Sequence, residues 1–78
     1  MTKTQLKKLM ELNHKIRLEG WKLEYINIQG FEGSNYTMFV GIEKESRLGN
    51  LFESHKFCKY KSREKCENLK NDILKYLM

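Results

Sequence analysis

The chain has 78 residues, with fifteen Lys plus Arg against ten Asp plus Glu, a formal net charge of +5. A chain this short buries only roughly 60–65% of its unfolded surface around one core, which excludes a two-domain protein, a solenoid or a large enzyme. Hydrophobic residues make up 40% and aromatic residues 12%, enough for a folded core despite a mean hydropathy of −0.70.

The first predicted element is a helix over 4–19. Thr2 and Gln5 have the spacing of a capping box, and Leu6, Leu9, Leu12 and Ile16 form one apolar stripe. Gly20 follows, where a left-handed residue ends helices. From Trp21 the period drops to two, giving a strand over 21–29. Its apolar phase switches between Tyr25 and Ile26, which predicts a bulge or burial on both faces. The segment 30–35, with Gly30 and Gly33, is a turn. Tyr36, Met38, Val40 and Ile42 alternate with Thr37, Phe39 and Gly41 in a second strand, 36–44. A turn over 45–50 leads to a less regular third strand, 51–60, on which Phe52, Cys58 and Tyr60 share a face. Ser62 caps the last helix, 63–77, whose apolar stripe is Cys66, Leu69, Ile73, Tyr76 and Leu77. The fold class expected is α+β: a single αβββα domain over 1–78, a three-stranded antiparallel meander with both helices packed on one face.

This order resembles the double-stranded-RNA-binding-domain fold, which the HicA family of toxin ribonucleases shares. The former family opens its second helix with a Ser-Lys-Lys-x-Ala-Lys pattern that lies on RNA phosphates. Here the stretch is Ser62-Arg63-Glu64-Lys65-Cys66-Glu67, with carboxylates at two of the lysine positions, where they repel phosphate. HicA proteins carry Gly-Trp after the first helix and later Gly-Ser-His-His. This chain has Gly20-Trp21 and Gly33-Ser34-Asn35-Tyr36, without the histidine that serves as acid and base in that family. The resemblance implies the fold, and argues against a HicA-like nuclease.

The densest chemistry is the run from His55 to Lys65. Lys56, Lys59, Lys61, Arg63 and Lys65 stand there against Glu64 alone, with Phe57 and Tyr60 interleaved. Residues 1–22 carry +4, 23–54 carry −3 and 55–78 carry +4. Two helices packed side by side would join these ends into one basic surface, with Lys3 and Lys7 of the first helix extending it. Such a surface binds polyanions by counterion release, and Tyr60 or Phe57 could stack on bases.

Competing chemistries are weaker. His55, Cys58 and Cys66 are three ligands at best, without a paired zinc knuckle. His55 and Cys58 would fall on opposite faces of a regular strand, which separates base from nucleophile. No enzymatic role, metal or cofactor is expected. Cys58 and Cys66 fit the reduced thiols of a cytoplasmic protein better than a disulfide framework. No apolar run reaches the ~18–20 residues of a membrane span, and Met1 to Met10 lack a signal peptide's apolar block. A cytoplasmic location is therefore expected.

The leading expectation is a small basic binding protein that contacts nucleic acid (an RNA or DNA backbone) or a host nucleoprotein. Lys56, Lys59, Tyr60, Lys61, Arg63, Lys65, Lys3 and Lys7 are its candidate contacts. The alternative is a phage- or mobile-element-encoded inhibitor of a host or defence protein, of the anti-CRISPR type. It rests on small size, on the apolar Phe31, Leu48 and Leu51 near turns, and on an AT-rich composition with no alanine or proline. Exposed meander edges also leave a homodimer open.

Overall fold

The computed structural model describes residues 1–77. The order is α1 (Lys3–Leu18), β1 (Lys22–Gln29), β2 (Tyr36–Ser46), β3 (Gly49–Tyr60) and α2 (Arg63–Leu77). The strands form one antiparallel sheet in the order β1-β2-β3. Both helices pack on the same face of it, over a core of Leu9 and Leu12 from α1, Met38, Val40 and Ile42 from β2, and Cys66, Leu69 and Ile73 from α2. Each such aliphatic side chain contributes about 1.5–3 kcal/mol by leaving water.

α1 begins as its sequence dictates. The Gln5 amide donates to the Thr2 Oγ1 (3.1 Å), and the Thr2 amide donates to the Gln5 Oε1 (3.0 Å). The helix stops because Gly20 takes φ +80°, turning the chain so that Trp21 enters the core ahead of β1 rather than within it. The buried stripe starts at Gln5, not Leu6, which is exposed. A polar residue wins that position because its amide has partners there. Gln5 Nε2 donates to the Phe57 carbonyl (3.2 Å) and to the Tyr60 hydroxyl (2.9 Å), so it caps the helix and ties it to β3.

Two bulges set which side chains face the helices. In β1 the register shifts between Leu23 and Tyr25, so Leu23, Ile26 and Ile28 face inward and Tyr25 faces out. This is the phase switch in the sequence pattern. In β3 Cys58 pairs with Met38 while Lys56 pairs with Phe39, leaving Phe57 as the extra residue. That bulge overturns two expectations. Phe52 opposes Glu43 on the outer face, opposite Cys58 and Tyr60 instead of beside them. His55 opposes Val40 and so shares the helix face with Cys58. A regular alternation cannot anticipate either placement, because one inserted residue inverts every face beyond it.

The 45–50 turn contracts to Arg47 and Leu48, since β2 and β3 stay paired out to Ser46 and Gly49. β1 begins at the Lys22–Glu43 pair and pairs no further toward the β2–β3 turn, so the last three rungs of that hairpin project as a two-stranded ribbon. The molecule is accordingly long, 44 × 23 × 18 Å. No helix among the described residues is long and apolar enough to cross a membrane.

Replacing Gln5 by Ala should lower stability by about 1–3 kcal/mol, because the buried Phe57 carbonyl loses its side-chain donor and the Thr2 amide its acceptor in the capping box. Thermal unfolding followed by circular dichroism should show a melting temperature lower by roughly 5–15 °C; an unchanged value would remove Gln5 as the tie between α1 and β3.

Candidate nucleic-acid interface

The basic run does not form one helical surface. Lys56 and Lys59 oppose Phe39 and Thr37, so both project from the outer face of the sheet, away from the helices. Tyr60 lies on the helix side, half-buried, with its hydroxyl taken by Gln5 and its ring under the Lys65 ammonium at 5.9 Å. Lys61 stands beside the β1–β2 turn, sharing a shallow depression with Gly33, Ser34 and Asn35. Arg63 and Glu67 form an exposed i,i+4 pair at 3.5 Å, a contact worth little in water. Phe57 is buried and unavailable for stacking. Lys3 and Lys7 are exposed on α1, and Lys7 rims a depression of mixed charge with Met10, Glu11, His14, Lys15 and Glu19.

These residues nevertheless converge on one end of the long molecule. Gln5 and the Lys8 ammonium, which donates to the Lys56 carbonyl at 2.6 Å, hold the first turns of α1 against the end of β3. α2 starts from the same corner. Lys3, Lys7, Lys8, Lys56, Lys59, Lys61, Arg63 and Lys65 therefore gather there, with Glu11, Glu32, Glu64, Glu67 and Asp72 as their acidic neighbours. Away from this corner the two signs are nearly balanced, and Glu24 and Glu43 lie side by side. The Glu43 carboxyl is pushed up from its ordinary value by desolvation, and further by the adjacent Glu24.

The outer sheet face holds side chains that the composition of the basic run does not reveal. Rung by rung across β1, β2 and β3 they are Gln29, Thr37 and Lys59; Asn27, Phe39 and Lys56; Tyr25, Gly41 and Ser54. The next rung is Lys22, Glu43 and Phe52, the last 67% exposed. Tyr25 lies across the sheet, because a Cβ on Gly41 would overlap its ring, and its hydroxyl reaches the Ser54 Oγ on β3 at 3.3 Å. The signal in the sequence was the glycine at the centre of a central strand, where a close approach is the usual reason for it.

On the helix side, the Glu53 Oε1 accepts from the Lys15 ammonium (2.6 Å) and meets the His55 Nε2 (2.8 Å). Lys15 also lies 5.2 Å from the Trp21 ring centroid. The hydrogen bond from Lys15, then that from His55, holds the Glu53 carboxyl below its ordinary value. The Cys58 and Cys66 sulfurs are 3.7 Å apart and both thiols are free and buried. Burial, then the Cys66 contact, pushes the Cys58 thiol up to about 11. Sharing a face with His55 therefore does not make Cys58 a thiolate nucleophile at neutral pH.

Comparison with protein-family models, with curated proteins and with solved structures finds no match for this chain.

Two outcomes follow from these groups. Glu53 has a depressed folded-state value, so its stabilisation is present above the unfolded value and is lost as pH falls through the folded one. Glu53→Gln should cost about 0.5–1 kcal/mol in urea unfolding at pH 7, a figure set by solvent screening. The gap from the parent should narrow as pH falls below the ordinary carboxyl value of about 4.3; a gap independent of pH would contradict the ion pair. Cys58 and Cys66 should resist an aromatic disulfide reagent at pH 7.5 in the folded protein and react fully in denaturant. Rapid reaction of the native protein would contradict their burial.

Proposed function

We propose that this protein is a non-enzymatic nucleic-acid-binding module that engages a phosphate backbone with the basic end of its sheet. The observation that carries the reading is the convergence of eight of its fifteen basic residues on the corner where α1 begins, β3 ends and α2 begins. Cations so grouped raise the local potential and release counterions when they meet phosphates, whereas the same charges dispersed would only aid solubility. Glu64 and Glu67 on α2 make that helix a poor match for the phosphate track of a double-stranded-RNA-binding domain. Lys56, Lys59, Lys61 and Arg63, along the sheet edge and the following turn, are the principal contacts. Lys65 and Tyr60 have each other as partners and are supporting residues, with Lys3 and Lys7 on the flank.

A second reading, an inhibitor that binds a host or defence nucleoprotein, is favoured by the projecting hairpin. Its tip residue Leu48 is fully exposed, with Leu51 and Phe52 exposed behind it. Apolar side chains presented on a ribbon away from the core suit a protein surface.

Fluorescence anisotropy with a labelled 12-nucleotide RNA separates the two. Affinity should fall at least tenfold between 50 and 200 mM salt, as expected for several phosphate contacts. The triple variant Lys59→Glu, Lys61→Glu, Arg63→Glu should bind at least tenfold more weakly with unchanged circular dichroism. Undiminished binding by the variant would overturn the site, and no binding at low salt would leave the inhibitor reading.

A further inference from the structure

We propose that the outer face of the sheet is a stacking platform for single-stranded RNA, with Tyr25 and Phe39 each receiving one base. This rests on the nucleic-acid reading above and gives it a substrate class. Both helices lie on the other side of the sheet, which leaves Tyr25 and Phe52 exposed and Phe39 half-buried on its open face. Gly41 lets the Tyr25 ring lie down on the strand instead of standing out from it, and the contact with Ser54 holds it there. One face of the ring packs on backbone, and the residue keeps 44% of its surface in solvent. A flat aromatic face open to solvent is the surface on which a base stacks.

Spacing and charge fit the same ligand. Asn27–Phe39 and Tyr25–Gly41 are successive rungs of this face, about 6.8 Å apart along the strand. That is twice the ~3.4 Å separation of stacked bases, so neighbouring rings suit unstacked bases of an extended strand, not a duplex interior. Lys56 flanks Phe39 across β3, and Lys59 lies one rung further on, placing two ammonium groups along one side of the ring row. They continue directly into the basic corner. On and between these rungs, Asn27, Thr37 and Ser54 supply uncharged donors and acceptors for base edges and for the 2′-hydroxyl that distinguishes RNA from DNA.

The dimensions argue against a second copy of the chain as the occupant. Three strands at ~4.8 Å spacing along an eight-residue β1 make a strip of roughly 15 × 27 Å, about 400 Å². A stable dimer buries about 800 Å² per partner. A strip of this shape, basic along one edge, fits an extended polyanion.

The test uses the intact protein and three probes: 5′-labelled octauridylate, octadeoxyuridylate and a 12-base-pair RNA duplex, read by anisotropy at 50 mM salt. Octauridylate should bind at least fivefold more tightly than either of the others. Phe39→Leu and Tyr25→Leu should each weaken octauridylate binding at least fivefold, while Tyr25→Phe, which keeps the ring, should bind within twofold of the parent. Gly41→Ala, which lifts the ring from the strand, should behave as Tyr25→Leu. Circular dichroism and light scattering check that each variant is folded and monomeric. Salt-dependent binding that ignores both ring substitutions would overturn the platform and leave the basic corner standing. Equal affinity for the deoxy probe would overturn the assignment to RNA, and a dimer lost in Phe39→Leu would replace the ligand with a second copy. Absence of binding to any probe would overturn this inference and the broader reading together.

Discussion

One extra residue in β3 decides what each side of this sheet presents. With Phe57 bulged against the Met38–Phe39 step, Lys56, Ser54 and Phe52 turn outward while Cys58 and Tyr60 turn toward the helices. The bulge also aims the Phe57 carbonyl at Gln5, so the irregularity that inverts the faces is the one that anchors α1. A carbonyl buried beside a helix needs a donor, and the Gln5 side chain, already used as a cap, supplies it. Helix start, helix docking and strand register are thus coupled at a single corner.

The same corner organises the charge. Ends of the chain that are each basic in sequence are brought together because the capping glutamine joins the start of α1 to the end of β3. The basic side chains do not lie on the two helices as a common surface, however. Lys56 and Lys59 leave from the open side of the sheet, where Tyr25 and Phe39 also lie, and Lys61 and Arg63 follow around the turn. Cations next to one exposed and one half-buried ring are a different surface from cations on helices. The first combines phosphate neutralisation with stacking; the second offers only the former.

The elements themselves were legible from the amino-acid pattern, and for physical reasons. Thr2 and Gln5, Gly20, Ser62 and the 3.6-residue apolar stripes mark the helix ends and inner faces directly. The alternation in β2 likewise marks Met38, Val40 and Ile42 as core, and the phase switch in β1 announces its bulge. The β3 bulge was not legible, because it sits between Lys56 and Cys58, where hydrophobicity changes phase too weakly to register. Every side-chain orientation before it on β3 was therefore inverted, including Phe52 and His55. Leu6 was misplaced for a related reason: apolar character outweighs Gln5 in a periodicity argument, but a hydrogen-bonding requirement decides the buried position. The charged part of the candidate site could be read from composition. Its aromatic part could not, since Tyr25 and Phe39 meet only through strand pairing, and Gly41 was the sole local sign.

The proposed binding surface is the open sheet face, continuous with the basic corner. Backbone amide chemical-shift mapping of the isotopically labelled protein, titrated with octauridylate, tests it most directly. The predicted result is a set of perturbed amides on Tyr25, Asn27, Thr37, Phe39, Ser54, Lys56 and Lys59, with Leu9, Leu12 and Ile73 in the helices unmoved. Perturbations confined to α1 and α2, with the sheet amides unchanged, would contradict it.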